Sequence, residues 1–296
     1  ISSNDWSNYS YYNYRSLKAV GVDVTGLKVH PHSFGYNEQH PLIERNMIPH
    51  IINKYDIIQI FNSDATMLQS LKNYRGKVIV YHTGSSYRAS FNELNAAFNP
   101  VVWKSVIALS EFENLGAKNP NYISVAVDTE LMKPEAREIR KPYVFAHYPS
   151  NVKVKGSHEI LKMFAKAHLS ISINSQIIDH GLSWQRMRNC DIYVELFKPI
   201  LEGRPYGSFG TTAAEAAALG KIVVTQNLNA GLYERTYGDC PLILAKDEED
   251  FVQKIKWLNA LPEKEIINLQ QAHRDWAVNK HSFKATGERL KTILEL

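Results

Sequence analysis

The chain is poor in cysteine and has no long apolar run. Only two cysteines occur in 296 residues, and Cys190 and Cys240 follow no metal-binding spacing. This usage favours a reducing compartment. We find no run of about 18 apolar residues and no signal-peptide pattern, so we predict no membrane-spanning helix. Residue 1 is Ile, so we expect the natural start of the protein to lie upstream.

Several catalytic signatures are also missing from the sequence. It contains no G-x-G-x-x-G after a strand, no G-x-x-x-x-G-K-[ST] and no G-x-S-x-G. These absences disfavour a nicotinamide-dependent enzyme, a P-loop NTPase and a serine nucleophile elbow. No Asp-x-Asp follows a strand and no His/Cys/Asp/Glu cluster has metal-ligand spacing. We therefore expect neither a bound metal nor a cofactor.

Neither sign of charge dominates the composition. The chain has 34 Lys and Arg residues against 30 Asp and Glu residues, a formal net charge of +4. This mild excess is compatible with an anionic partner such as a nucleotide or a phospholipid surface, but does not require one. We expect no nucleic-acid partner.

The order of segments alternates between helices and continuously apolar strands. This pattern predicts parallel sheets covered on both faces. The predicted strands are 22–30, 55–62, 77–82, 104–110, 122–127, 143–148, 170–178, 190–197 and 221–226. The predicted helices are 9–20, 42–55 (kinked or split at Pro49), 64–73, 111–118 (capped by Ser110), 156–168, 183–189 and 211–219, then helices after 247 with Phe251, Ile255, Trp257 and Leu258 on one face.

The polar, proline-containing stretch 128–142 separates the two series and resembles a linker. We therefore predict two α/β domains of similar size, 1–138 and 139–281. Ligands of such folds bind at the carboxyl ends of the strands, so residues that directly follow strands are the candidate site residues.

The segment PYGSFGTTAAEAAALGKIVV, residues 205–224, begins a helix in a glycine loop. Gly207 and Gly210 flank Phe209, and Thr211 and Thr212 follow. A helix N-terminus offers free N–H groups and partial positive charge, and glycine lets an anion approach that backbone closely.

Glu215 lies one turn into this helix, on the side of Thr211 and Thr212. Its carboxylate can accept two hydroxyl hydrogen bonds, as a ribose would offer. The alternative is an ordinary glutamate stabilised by the helix dipole. Gly220 is predicted to end the helix with a positive φ.

Two lysines follow the predicted strand 143–148. Lys153, Lys155 and Gly156 lie at the start of the next helix. Lysines there can neutralise a diphosphate that leaves during a reaction. The alternative is a solvated basic loop. His147, at the end of the strand, binds a ligand or simply packs as a buried polar residue.

Two polar segments stand out in the first half. In VIVYHTGSSYR a strand ends at His82, and a turn containing Ser85 leads to Arg88; this is either a substrate contact or a capped turn. Near the start, Ser7 and Asn8 can bind an anion or a sugar. The tyrosine-rich helix that follows, beginning at Tyr9, either contacts lipid or carbohydrate or packs in the core.

Taken together, these segments resemble the GT-B glycosyltransferases, specifically the large retaining family with an E-x7-E signature. VIALSEFENL…YISVAVDTELMKP is similar to that family's passage between its domains. FGTTAAEAAALGKIVVT is similar to its FG-x-x-x-x-E-A-M-A-x-G-x-P-V-V block, and Lys155-Gly156 matches the Lys-Gly that opens the first helix of the donor domain.

The resemblance has one departure at the signature itself. The first Glu of E-x7-E falls on Gly207, and Glu202 is out of register. A subgroup of the family shares this glycine, and HYPSN…KG, YHTGSSYR and YGSFGTTAAEAAALGK resemble that subgroup. The departure therefore need not mark an inactive enzyme.

The resemblance implies an α/β fold of two Rossmann-like domains facing a cleft, with the last helix, within 282–296, packing back on the first domain. It implies a retaining, metal-independent transfer from a nucleotide-diphosphate sugar to a glycan, a lipid-linked acceptor or a small molecule. Residues 179–184 are the expected base site. A cytoplasmic protein, peripheral to a membrane where the acceptor is lipid-linked, is the matching expectation.

The resemblance also implies roles for single residues. The implied catalytic residues are His82, Lys155 and Glu215. The implied donor-binding residues are Lys153, His147, Gly207, Phe209, Gly210, Thr211, Thr212, Ser7 and Asn8, and the implied acceptor-binding residues are Tyr9, Ser85 and Arg88. Two alternatives stay open: a non-catalytic relative that binds nucleotide sugars, and a nucleotide-sugar epimerase of the same fold.

Overall fold

The computed structural model describes residues 1–32 and 34–296. The chain divides into two compact units, the first made of Ile1–Ala126 with Phe283–Leu296, and the second of Val127–Ser282. The division therefore precedes Val127, whereas the sequence placed it after residue 138. The stretch interpreted as a linker belongs to the second unit, because the Arg274 guanidinium donates to the carbonyls of Thr129 and Met132 at 2.8 and 2.7 Å.

The helices and strands alternate along the chain. The helices are α1 (Tyr9–Ala19), α2 (Ile48–Ile51), α3 (Gly84–Phe98), α4 (Val152–Lys155), α5 (Ser157–Ala167), α6 (His180–Met187), α7 (Thr211–Ala218), α8 (Ala230–Tyr237), α9 (Glu248–Ala260), α10 (Glu263–Trp276) and α11 (Phe283–Leu294). The strands are β1 (Ile57–Ile60), β2 (Lys77–His82), β3 (Lys104–Ile107), β4 (Pro120–Tyr122), β5 (Phe145–His147), β6 (Ser172–Ile173), β7 (Ile192–Val194), β8 (Ile200–Leu201), β9 (Arg204–Pro205), β10 (Ile222–Thr225) and β11 (Ile243–Leu244).

The first unit is built on a parallel sheet with strand order β1-β2-β3-β4. Its strands are the apolar runs, because strands covered on both faces need apolar side chains on both. One side of the core contains Ile60, Val80 and Phe98, each without measurable exposure.

Several predicted elements of this unit are shorter or absent. The predicted strand 22–30 is wrong: the segment forms no ladder, only isolated bridges from Lys28 to Ser2 and Leu42 with single backbone hydrogen bonds beside them. The exposed Asp23 is a residue type that strands disfavour. The region around Pro49 is split into α2 and flanking 3₁₀ turns. Residues 65–71 and 110–112 form 3₁₀ helices rather than the predicted α-helices, and β4 ends where the predicted strand 122–127 begins.

The second unit is built on a parallel sheet with order β11-β10-β7-β5-β6. The helices α5 and α9 pack together on it through Phe164, Phe251, Ile255 and Leu258. The prediction that Trp257 shares this buried face is wrong, since its side chain is 45% exposed.

A short antiparallel hairpin of β8 and β9 follows this sheet's central strand, and the sequence reading missed it. Its turn residues Glu202 and Gly203 have φ of 52° and 77°. Two consecutive positive φ values match a type I′ hairpin turn, which favours glycine. Among residues 1–32 and 34–296, no helix has the length and apolar character needed to cross a membrane.

Within the first unit, α11 packs closely on α1 at Gly287. A Cβ added there would lie 2.1 Å from the Ser16 carbonyl oxygen, which is backbone and cannot swing aside. We expect Gly287→Ala to lower the free energy of unfolding by about 1–3 kcal/mol in chemical denaturation, because overpacking outweighs the gain in helix propensity. The matched change Gly231→Ala on α8 meets only the tip of the Arg235 side chain, at 3.3 Å. It should be neutral or slightly stabilising, and an equal loss for both variants would contradict the prediction.

Candidate active site

Polar side chains of the second unit gather where β5, β7 and β10 end. His147 ends β5, Glu195 follows β7 directly, and Gln226 follows β10. Each side chain is buried, with exposure of 0%, 1% and 5%. The carboxyl edge of a parallel sheet is where such folds bind ligands, so this edge is the candidate site of the unit.

Glu195 is the centre of this edge. Its Oε1 accepts a hydrogen bond from the Thr212 hydroxyl at 3.2 Å and forms an ion pair with Lys155. Its Oε2 accepts from the Thr225 hydroxyl at 2.9 Å. No role was predicted for Glu195 from the sequence. A charged residue directly after the apolar strand, in VELF, is the signal that could have found it.

The two candidate lysines differ in their surroundings. Lys155 ends α4, whose N-cap Asn151 accepts from the backbone N–H groups of Lys153 and Val154. The Lys155 side chain is 22% exposed beside a fully buried Glu195 side chain. The Lys153 side chain is 70% exposed and pairs with the hairpin residue Glu202 at 3.1 Å. The structure thus brings Lys155, and not Lys153, to Glu195.

The chain turns sharply after Lys155. Gly156 has φ of +72°, and a Cβ there would lie 1.9 Å from the Phe197 carbonyl oxygen. Only glycine fits this close approach, because the obstructing atom is backbone. The Lys-Gly pair of the sequence thereby places α4 against the segment that follows β7.

The helix α7 begins at Thr211, with Gly210 as its N-cap and no side-chain cap. The glycine N-cap supplies no side chain to the N–H groups of Thr211 and Thr212, which can therefore meet an anion, whereas the Ala213 N–H donates to the Gly210 carbonyl at 3.1 Å. Phe209 is 3% exposed and packs edge-on against Tyr233 and Trp276. It is a core residue that supports the loop. Gly220 ends the helix with φ of +70°, as predicted.

Glu215 is 2% exposed and its Oε1 lies 2.6 Å from His180 Nε2. Glu215 was predicted to lie on the side of Thr211 and Thr212, but the Thr212 hydroxyl donates to Glu195 and not to Glu215. His180 is the first residue of α6 and falls within the expected base site, 179–184. The structure therefore brings the expected ribose residue and the expected base segment together.

Gly207 shows why a glycine stands at the first position of the E-x7-E spacing. Its φ is +113°, and a Cβ there would lie 1.7 Å from Gln226 Nε2. Gln226 is itself tied to the backbone: Nε2 donates to Tyr206 and Lys198 carbonyls at 2.5 and 3.1 Å, and Oε1 accepts from the Lys198 N–H at 2.6 Å. A glutamate at 207 is sterically incompatible with this arrangement.

His147 has both ring nitrogens occupied. Nδ1 donates to the Val194 carbonyl at 2.7 Å, and Nε2 accepts from the Ser157 hydroxyl at 2.9 Å. Burial lowers the pKa of His147 to about 4, so the ring is neutral at pH 7. These bonds connect β5, β7 and α5, which makes His147 a packed polar residue in this structure.

In the first unit, His82 ends β2 without measurable exposure. Its Nδ1 lies 2.9 Å from the Ser63 hydroxyl, and its ring stacks on Tyr87 at a centroid distance of 4.0 Å. Nε2 has no hydrogen-bond partner among the described residues. Burial lowers the pKa of His82 to about 3, so this ring is also neutral.

The N-terminus of α1 was expected to bind an anion, and a carboxylate of the chain itself occupies it. The Asp5 carboxylate accepts from the backbone N–H groups of Ser10 and Tyr11, both at 3.0 Å. Asn8 is the N-cap in the left-handed region and donates to the Glu38 carbonyl at 2.9 Å. The Tyr9 hydroxyl donates to the Ile123 carbonyl at 2.7 Å inside the core. Ser7 lies in the turn before the helix and is partly exposed.

The other two residues expected to bind the acceptor lie on α3. Ser85 is exposed in its first turn. The Arg88 guanidinium forms an ion pair with Glu111, whose side chain is 5% exposed, and its Nε donates at 2.8 Å. Among residues 1–32 and 34–296, no group of three or more His, Cys, Asp or Glu side chains could hold a metal ion.

Comparison with known proteins gives structural likeness without sequence matches. No protein-family model matches the chain, and no curated protein matches it significantly. Anabaena Alr3699/HepE, solved with UDP and glucose, is 12% identical with a TM-score of 0.70, over 100% of this chain and 99% of that one. A glycosyltransferase from Rickettsia africae is 14% identical with a TM-score of 0.65, over 100% and 96%. Sucrose-phosphate synthase from Thermosynechococcus elongatus is 12% identical with a TM-score of 0.61, over 96% and 91%.

These likenesses concern the fold. The chain has two Rossmann-like α/β units with parallel sheets, as the GT-B glycosyltransferases have. The predicted fold class is confirmed.

The crowding around Gly207 generates a stability prediction. We expect Gly207→Ala to lower the free energy of unfolding by about 2 kcal/mol or more, because the new Cβ meets Gln226 and the positive φ is strained. Gln226→Ala is itself destabilising, because it removes three hydrogen bonds to the backbone. In that background, however, Gly207→Ala should cost less than in the wild type, since the obstructing side chain is gone and only the backbone strain remains. Chemical denaturation of the two single variants and the double variant measures the coupling. Simple additivity would contradict the steric explanation.

Burial of neutral His147 generates a pH prediction. Its folded pKa lies below the unfolded value of about 6.5, so its contribution to stability is complete above that pH and lost as the pH falls towards 4. Between pH 7 and 5 this loss is about 2 kcal/mol. Between pH 7 and 5, the unfolding free energy of His147→Gln should therefore fall by about 2 kcal/mol less than that of the wild type. The exposed position His158 on α5 offers the control His158→Gln, which should keep the wild-type pH dependence. A wild-type slope in His147→Gln would disprove the assignment.

Proposed function

We propose that this chain is a glycosyltransferase that takes its sugar from a nucleotide-diphosphate donor. The observation that carries the proposal is Lys155 beside the uncapped N-terminus of α7, at the carboxyl edge of the second sheet. The full-length likeness to Anabaena Alr3699/HepE supports it, because that protein is described in complex with UDP and with UDP-glucose.

In this proposal the second unit binds the nucleotide. Glu215 accepts the ribose hydroxyls, and His180 beside it belongs to the base and ribose site. The first-turn N–H groups of α7, from Thr211 and Thr212, contact the diphosphate. Gly207 and Gly210 allow the donor to approach the backbone, because neither adds a side chain.

Lys155 carries the chemical role. As the bond from the sugar to the diphosphate breaks, negative charge grows on the leaving phosphate oxygen. A fixed ammonium and helix N–H groups stabilise that charge more in the transition state than in the ground state. We propose that the transfer retains the anomeric configuration, with the leaving phosphate taking the acceptor proton, and that it needs no divalent metal.

The first unit is proposed to bind the acceptor, a carbohydrate or a lipid-linked sugar. Ser85 and Arg88 on α3 supply a hydroxyl and a guanidinium for its polar groups. His82, assigned a catalytic role by the resemblance, is fully buried in this structure, so a contact to a sugar would require its surroundings to open. A lipid-linked acceptor would bring the protein to a membrane surface, and co-sedimentation with anionic vesicles tests that part.

Turnover with a panel of UDP-, GDP- and ADP-sugars and sugar acceptors tests the proposal. We expect Lys155→Met and Glu215→Gln to lower kcat/KM by about 100-fold, because each removes a buried polar contact to the donor. Lys166→Met removes an exposed lysine that pairs with Glu248 on the same unit, and should leave turnover unchanged.

The outcomes separate the alternatives. Nuclear magnetic resonance of the product's anomeric carbon reports retention, and activity in excess EDTA reports metal independence. If calorimetry shows binding of a sugar nucleotide but no transfer to any acceptor is found, the chain is a non-catalytic binding protein. The reason to consider this alternative is that Gly207 stands where the signature has a glutamate. Isomerised sugar nucleotide formed without an acceptor would favour an epimerase. Unchanged turnover in both variants would overturn the assigned site.

A further inference from the structure

The proposed function leaves Glu195 without a role. Glu195 places a negative charge beside Lys155, although Lys155 is the lysine assigned to the donor's diphosphate, which is itself an anion. The Glu195 side chain has 0% exposure, whereas the Lys155 side chain retains 22%. A pair formed only to stabilise a surface would have both members in solvent.

The contacts of Glu195 come from three different elements. Lys155 lies at the end of α4, Thr212 in the first turn of α7, and Thr225 at the end of β10. The Glu195 backbone is held as well, since its N–H donates to the Val224 carbonyl at 2.9 Å. Both carboxylate oxygens are thus partnered, and their position is set by the sheet.

This arrangement places an ammonium beside the start of α7. A free lysine has a flexible four-carbon stem and samples many rotamers, so it contributes little directed charge. Bonded to Oε1, the Lys155 ammonium shares one acceptor atom with the Thr212 hydroxyl. The same Oε1 lies 3.8 Å from where a Cβ at Gly210 would be, so this oxygen faces the N-cap of α7.

We propose that Glu195 is a positioning residue, which holds the Lys155 ammonium next to the first turn of α7 so that both meet the diphosphate of the donor. This inference rests on the proposed function for its second half only. The first half, that Glu195 holds Lys155, concerns the protein without any ligand.

The first experiment tests only whether Glu195 fixes the position of the Lys155 ammonium. Acetic anhydride labels lysine amines in the folded protein, and mass spectrometry of the peptides obtained after digestion gives the rate at each lysine. We expect Glu195→Gln to raise the labelling rate of Lys155 about tenfold, because the amine is no longer held in a half-buried ion pair. Glu159→Gln is the matched control: it removes the partner of Lys198, whose side chain is also 22% exposed, on the same unit. That control should change Lys198 and leave Lys155 as it is.

The second experiment tests whether the positioned Lys155 ammonium contributes to diphosphate binding. Calorimetry gives the affinities for UDP and for uridine, and their ratio isolates the contribution of the diphosphate. We expect Glu195→Gln to lower this ratio about tenfold with the uridine affinity unchanged, as for one charged hydrogen bond. In a Lys155→Met background, Glu195→Gln should have no further effect, because Glu195 acts through Lys155. Glu159→Gln should keep the wild-type ratio.

A further variant separates the position of the carboxylate from its charge. It also keeps the proposal testable if Glu195→Gln does not fold. Glu195→Asp keeps the charge but withdraws the carboxylate by one methylene, so we expect it to lower the ratio as well. An unchanged or higher UDP-to-uridine ratio in the folded variants would overturn the positioning role. If the wild-type protein binds neither compound, the uridine-diphosphate donor is wrong, and the labelling rate of Lys155 alone decides whether Glu195 holds it.

Discussion

A carboxylate that is buried away from solvent needs partners within the protein, and the site of the second unit is organised around that requirement. Removing a charge from solvent is costly unless it is paired and hydrogen-bonded. Glu195 meets the requirement with a lysine from α4 and with hydroxyls from α7 and β10. These elements are far apart in sequence, and the same carboxylate joins them at one edge of the sheet.

Two glycines set how closely the backbone approaches at this edge. At Gly156 and Gly207 an added Cβ would lie 1.9 and 1.7 Å from its nearest neighbour. Gly156 lets α4 bring Lys155 to the end of β7. Gly207 lets Gln226 bridge the loop before α7, which excludes a glutamate where the E-x7-E family has one.

The sequence predicted the parts of the fold that depend on continuous apolar runs. β2 and β10 follow such runs, because strands covered on both faces require them. It failed in two other places. Residues 22–30 form only isolated bridges, because their pairing depends on distant segments. The hairpin β8–β9 was missed because its two-residue strands contain no apolar run long enough to indicate a strand. Among candidate site residues, Lys155 and Glu215 lie at the expected edge. Phe209, His147 and Tyr9 pack in the interior, since an aromatic or histidine side chain at the end of an element suits a core as well as a ligand.

By itself, the sequence determined the fold class and the edge of the second sheet where polar residues would gather. Periodicity and glycine positions are local properties, so they can be read along the chain. Only the tertiary structure decided which polar groups meet: Lys155 with Glu195, Glu215 with His180, and Asp5 with the start of α1. The physical reason is that a buried charge is satisfied by whatever donor the fold brings near, and the distance along the chain between the two carries no information about that.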